Sequence, residues 1–168
     1  MSDKILSEES LQNIDVINQQ LSKHAQVLFS IGYEGKSIDT FINILLKNDI
    51  KLLCDVRWNP FSRKFGFSKK QLQHILGNMG IDYIHIPTLG IESAERQSLE
   101  TLDDYNALFE RYKNSLPSKT KELHQVYSML QSNGRIALMC YEQDPNYCHR
   151  TIIKDYLVSN YHLESEDL

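Results

Sequence analysis

Apolar positions recur along the chain at two spacings, and the two spacings alternate. Mainly apolar runs at 27–31, 51–56, 83–86 and 136–139 read as short strands buried on both faces. Between them the apolar residues fall three and four apart. Ile38, Phe41, Ile42, Leu45 and Leu46 make one helical face, and Leu72, Ile75, Leu76 and Met79 a second. Tyr105, Leu108, Phe109 and Tyr112 make a third, near 102–114; Leu123, Val126, Tyr127 and Leu130 a fourth, near 118–133. Ile152, Ile153, Tyr156 and Leu157 place a last helix over 151–161. The punctuation agrees. Ser37 and Ser68 stand where N-caps belong, Gly80 and Asn133-Gly134 where helices stop, and Pro117 between the third and fourth helices.

This order predicts an α/β fold: a mainly parallel sheet of about four strands with helices on both faces, forming a single domain over 26–163. Leu11, Ile14, Ile17 and Leu21 predict an amphipathic N-terminal helical extension within 1–25. Residues 88–99 carry no period and read as a long loop, of the kind that is usually functional. Residues 164–168 read as a loose acidic end.

Composition narrows this only a little. The 168 residues suffice for one domain with a real core, and 41% hydrophobic with 24% charged residues is an ordinary globular balance. A net charge of -4 and a pI near 5.8 argue against a bulk electrostatic binder of nucleic acid and leave room for a local basic patch. No apolar run approaches the ~20 residues that span a bilayer. The start, MSDKILSEES, lacks the apolar core of a secretion signal. A cytoplasmic protein without a membrane partner is expected, its three cysteines reduced thiols rather than a disulfide framework.

In parallel sheets, ligands bind beyond the carboxyl ends of the strands. Polar residues collect at three of the four predicted ends: Gly32-Tyr33-Glu34, Asp55 with Arg57, and Cys140 with Glu142. The last of these leads through a turn-rich loop into Cys148-His149-Arg150 at a helix start. Cys148 is a candidate nucleophile, favoured as a thiolate by the helix dipole and Arg150; the alternative is a small apolar filler. His149 is a candidate proton carrier, although neighbours on a helix do not face each other. Cys140 sits where rhodaneses and cysteine phosphatases place a catalytic cysteine, but Asn146 stands where the phosphatase spacing needs arginine. Glu34 and Glu142 are candidates for acid–base work if the first and fourth strands are neighbours. Arg57, Arg63 and Arg150 offer forks for phosphate, with Asp55 as a bracing partner for one of them. Trp58 or Tyr33 could stack on a ring, and the loop RWNPFSRKFGFS interleaves basic and aromatic groups as single-strand binders do. Cys140-x7-Cys148-His149 lacks the close pairs of structural zinc, so no metal is assigned. No cofactor is assigned either, because Gly32-x-x-Gly35 is too short for a dinucleotide fingerprint.

Several of these motifs stand together in one order. They are Ser30-Ile31-Gly32-Tyr33 with Ser37, then Asp55-Val56-Arg57 with Pro60 and Ser62-Arg63, then Tyr83-Ile84-His85-Ile86-Pro87 with Leu89-Gly90. Cys140 and Glu142 with Pro145 and Cys148-His149-Arg150 complete the set. In them the chain, from about residue 27 to residue 160, resembles the bacterial and archaeal "domain of unknown function 488" family. The resemblance implies a small single-domain α/β protein and names no reaction.

The reading that follows is an enzyme, a hydrolase or group transferase, acting on a phosphate-bearing substrate such as a nucleotide or nucleic-acid base. The alternative is a non-catalytic module for nucleic acid or protein, and the weaker one a thiol or metal protein. The partner is an anionic small molecule or nucleic acid, and a homodimer is compatible with all three.

Overall fold

The structure, a computed structural model, describes residues 26–96 and 99–168; the N-terminal helix expected within 1–25 lies outside the described residues. Five strands, β1 (Val27–Gly32), β2 (Leu52–Asp55), β3 (Asp82–His85), β4 (Arg135–Cys140) and β5 (Glu164–Asp167), form one parallel sheet in the order β3-β2-β4-β1-β5. Five helices connect them: α1 (Ile38–Lys47), α2 (Lys69–Asn78), α3 (Leu102–Ser115), α4 (Thr120–Asn133) and α5 (His149–Tyr161). The α/β class and the parallel sheet follow the apolar pattern.

Strand alternation divides the core in two. Phe29, Ile31, Leu53, Ala137 and Met139 face α1 and α2, while Leu28, Leu52, Cys54, Ile136, Leu138 and Cys140 face α3, α4 and α5. The chain leaves β1 and β2 toward one face and β4 toward the other. β4 therefore lies at the switch point, flanked by β1 and β2, where a crevice opens beyond the strand ends. Gly32 and Cys140 are register partners there.

Two buried cations brace this edge. Arg57 makes a two-pronged ion pair with Asp55, its Nε 2.8 Å from Oδ1 and its Nη2 on Oδ2. Its Nη1 donates to the Tyr33 hydroxyl (3.1 Å) and to the carbonyl of Phe67 (2.9 Å). Tyr83 donates to Asp55 Oδ2 at 2.6 Å. One carboxylate thus ties together β2, β3 and the loop after β2. Arg150, 1% exposed, lies under the loop after β4. It donates from Nε to the Ser30 hydroxyl (3.1 Å), from Nη1 to the carbonyl of Glu142 and from Nη2 to that of Gln143 (3.1 Å).

The sheet has one strand more than the pattern predicts. Residues 164–167, expected to be loose, pair with β1 as its outer neighbour. All four are exposed, so the hydrophobic period carries no trace of the strand. Backbone pairing and one carboxylate hold it: Asp167 accepts from Ser30 (Oγ–Oδ1 2.6 Å) and from Lys154, and the Leu168 amide donates to the Ser30 carbonyl at 2.8 Å. Acidic side chains on an edge strand also discourage further pairing. The other difference is small: α5 begins two residues earlier than expected, at His149.

Gly32 has a steric reason to be glycine. A Cβ there would lie 1.8 Å from the Glu142 carbonyl oxygen and 2.9 Å from the Gln143 Cα, both backbone atoms. Gly32→Ala is expected to lower stability by about 1–3 kcal/mol or more, read as a drop in the urea midpoint. Asp167 supplies a pH dependence. Burial works against its charge, but hydrogen bonds from Lys154 and Ser30 hold its pKa below the ordinary value of 3.8. A carboxylate lowered in the folded state stabilises fully above its unfolded pKa and loses that contribution as pH falls through the folded value. Urea midpoints measured from neutral pH down should therefore show an acid limb that Asp167→Asn flattens.

Candidate functional site

The loop after β4 folds back on itself, and this gathers the reactive groups. Asp144 accepts from the Asn146 amide at 2.9 Å, Pro145–Tyr147 forms a single helical turn, and the Thr151 hydroxyl donates to the Pro145 carbonyl. Cys148 then stands just before α5 in extended conformation (φ -132°, ψ 135°). The rule that adjacent residues on a helix face apart does not apply to it. Cys148 Sγ and Cys140 Sγ lie 4.0 and 3.8 Å from His149 Nδ1, and the three atoms lie within 4.8 Å of one another. All three residues are buried.

Two further groups close the cluster. Cys148 Sγ donates to Glu142 Oε2 at 3.0 Å. Arg96 donates from Nη1 to Glu142 Oε1 (2.6 Å) and from Nη2 to His149 Nδ1 (3.1 Å). On the other side of the ring, His149 Nε2 lies 3.0 Å from the Val56 carbonyl oxygen. A carbonyl only accepts, so Nε2 carries the hydrogen and the Nδ1 lone pair of the neutral ring faces the thiols.

The electrostatics follow from these contacts. Burial alone would raise the Glu142 pKa; the Cys148 hydrogen bond and the Arg96 charge outweigh it and hold it at about 2. Glu142 is therefore an ionised acceptor at neutral pH, not an acid. Burial also opposes ionisation of Cys148, but hydrogen bonds with Cys140 and His149 lower its pKa below the ordinary thiol value. Cys140 moves the other way, raised by its hydrogen bond with Cys148 and by burial. Cys148 is thus the more acidic thiol of the pair. The Glu142 carboxylate at 3.0 Å still favours the proton on its sulfur for as long as that contact lasts. Cys54 is pushed up to about 12 by burial and by Asp55, which leaves it inert.

Over this cluster lies a cleft of about 520 Å³, lined among others by Trp58, Phe61, Arg63, Arg96, Cys140, Glu142 and His149. The sequence-predicted residues divide around it. Cys140, Glu142, Cys148 and His149 converge. Trp58 and Arg63 stand exposed on the rim. Tyr33 lines the cleft, but its ring is stacked on Phe67 with centroids 4.4 Å apart. Asp55 and Arg57 are consumed by their mutual pair, and Arg150 by backbone carbonyls. Glu34 accepts from the Gln143 amide at 3.0 Å and is absent from the cleft lining, although β1 and β4 are neighbours as its pairing with Glu142 required.

Arg96 is the residue that sequence reasoning missed. It comes from the stretch 88–99, whose only signal was length without periodicity. The basic-aromatic loop is half pinned and half free. Phe67 is buried against Tyr33 and Phe41, and the Ser68 hydroxyl, with no cap bond to α2, donates instead to the Ser62 carbonyl at 2.8 Å. Trp58, Phe61 and Phe65 remain exposed.

Among the described residues, no helix is long and apolar enough to cross a membrane. No curated protein and no solved structure matches the chain. One family model does match, over residues 37–157, from the cap of α1 into α5. It spans both the basic-aromatic loop and the thiol cluster, and by it the chain belongs to the family described as "Domain of unknown function DUF488".

Proposed function

We propose that the protein is an enzyme that binds an anionic, phosphate-bearing substrate, such as a nucleotide or a nucleic-acid base, in the cleft beyond β4 and carries out hydrolysis or group transfer on it. The observation that carries this reading is the convergence of two thiols, an ionised carboxylate, an oriented imidazole and an arginine at the floor of one cleft. Such a set costs stability to bury and makes no contribution to the apolar core that simpler residues would not make.

The anion-holding role passes to Arg63 on the rim and to the N–H groups of Arg96 not engaged by Glu142 and His149. Trp58, 41% exposed, offers a ring face for stacking. Glu142, ionised, accepts hydrogen bonds from Cys148 and Arg96 and positions both, and the two thiols with His149 form the reacting centre. Three free thiols suit a reducing compartment such as the cytoplasm.

The second reading, a non-catalytic nucleic-acid-binding module, is favoured by the exposed Trp58, Phe61 and Phe65 beside Arg63. The two separate on a panel of nucleotides and modified bases assayed for product. Glu142→Gln and Cys148→Ser are each expected to lower kcat by about 10²-fold or more, and Arg63→Ala to raise KM with kcat little changed. Tight binding that weakens steeply with salt, survives Glu142→Gln and Cys148→Ser and yields no product would overturn the enzyme and establish the module.

A further inference from the structure

We propose that Cys140, Cys148 and His149 form a binding site for a thiolate-preferring divalent transition metal, zinc by its donor set, at the floor of the cleft. The three donor atoms already lie within 4.8 Å of one another. Bonds of about 2.3 Å to sulfur and 2.0–2.1 Å to nitrogen place tetrahedral ligand atoms roughly 3.5–3.8 Å apart. The observed sulfur–Nδ1 separations, 3.8 and 4.0 Å, need to close by only a few tenths of an ångström. The seven-residue gap between the cysteines, which argued against a metal in the sequence, is bridged by the turn at Pro145–Tyr147.

His149 is the strongest support. Metal-bound histidines commonly donate their second ring N–H to a carbonyl or carboxylate, which fixes the tautomer and aims the other nitrogen at the ion. The Val56 carbonyl at 3.0 Å from Nε2 does this. The ligands are also fixed before any metal arrives, on the last residue of β4, the cap of α5 and its first residue. Two sulfurs and an imidazole nitrogen select zinc-like ions over magnesium or calcium, which take oxygen. Cys140, His149 and Glu142 all line the cleft, so the fourth position falls on the side from which a substrate or water would come.

Binding gives up two hydrogen bonds, Arg96 Nη2 to His149 Nδ1 and Cys148 S–H to Glu142 Oε2, releases waters from the incoming ion and needs no redox partner. Arg96 Nη2 gives up the Nδ1 lone pair while its Nη1 stays on Glu142. Both S–H bonds break and their protons pass to solvent, and two metal–sulfur bonds and one metal–nitrogen bond form. Two thiolates and the Glu142 carboxylate then face Arg96 and a dication, so the buried charges sum to zero. The inference uses the reacting centre of the proposed enzyme, but metal binding is read without turnover, so the two fail separately.

The test is a titration of the reduced, chelator-treated full chain with Co²⁺. The expected result is one equivalent bound, with strong visible bands of tetrahedral cobalt and near-ultraviolet thiolate-to-cobalt charge transfer, both abolished by stoichiometric Zn²⁺. Cys140→Ser and Cys148→Ser should each lose about half the charge-transfer intensity, one of two thiolates, and His149→Ala should weaken binding by at least ~10-fold. Cys54→Ala should change nothing. In the unsubstituted chain, Zn²⁺ should also slow alkylation of Cys140 and Cys148, mapped by peptide mass, with reversal by chelator. Absence of both the thiolate bands and the protection would overturn the proposal, as would bands undiminished in Cys148→Ser. Turnover that depends on Cys148 without any metal binding would leave the enzyme standing and remove the metal.

Discussion

A buried guanidinium holds the working edge of this protein in place. Arg150 sits beneath the loop after β4 and donates to two of its carbonyls and to Ser30 on β1. A charge there is costly unless every donor finds an acceptor. The acceptors come from β1 and from the loop after β4, and the donor from α5, so the charge is accommodated only when these three parts of the chain meet. Ser30 passes the contact on to Asp167, which also accepts from Lys154, one turn beyond Arg150 on α5. The acidic strand β5 is thereby drawn into the sheet by the same charge that shapes the loop. Gly32 completes the arrangement from below, since the absence of a Cβ lets the Glu142–Gln143 backbone cross the end of β1.

The arginines of the chain take different work according to what surrounds them. Arg57, although it lines the cleft wall, and Arg150 are enclosed by fixed acceptors and act as braces, whereas Arg96 is only part-buried and Arg63 is exposed at the cleft. The division has a physical basis. A guanidinium whose donors are already satisfied in a dry site gains little by exchanging them for a ligand, and one that is half solvated gains much. The Asp55–Arg57 pair lies on the α1–α2 side of the sheet, and the thiol cluster packs against the α3–α5 side. The brace steadies the loop carrying Trp58 and Arg63.

Local chemistry foretold most of the scaffold. The Ser37 cap is made to the Thr40 amide at 3.1 Å, α4 ends at Gly134 with φ 75°, and each of the four apolar runs is a strand. What escaped was whatever leaves no mark on the apolar period or is decided by contacts beyond a single helical turn. β5 has no apolar face, so periodicity was silent about it. Arg96 comes from an aperiodic loop and finds its partners 46 and 53 residues away. The Ser68 hydroxyl stands in the right place for a cap and spends its bonds on Ser62.

The amino-acid sequence by itself determined the α/β alternation, the parallel sheet and the strand end at which the reactive residues collect. Those follow from side-chain period, caps and breakers, each a property of neighbours within one or two turns. Only the tertiary structure decided which of the reactive residues meet. The strand order made β1 and β2 the neighbours of β4, and the turn at Pro145 returned Cys148 to Cys140. The Val56 carbonyl chose the tautomer of His149. The reason is that convergence is a matter of distance through space, set by packing and by buried hydrogen bonds, and spacing along the chain carries no record of it.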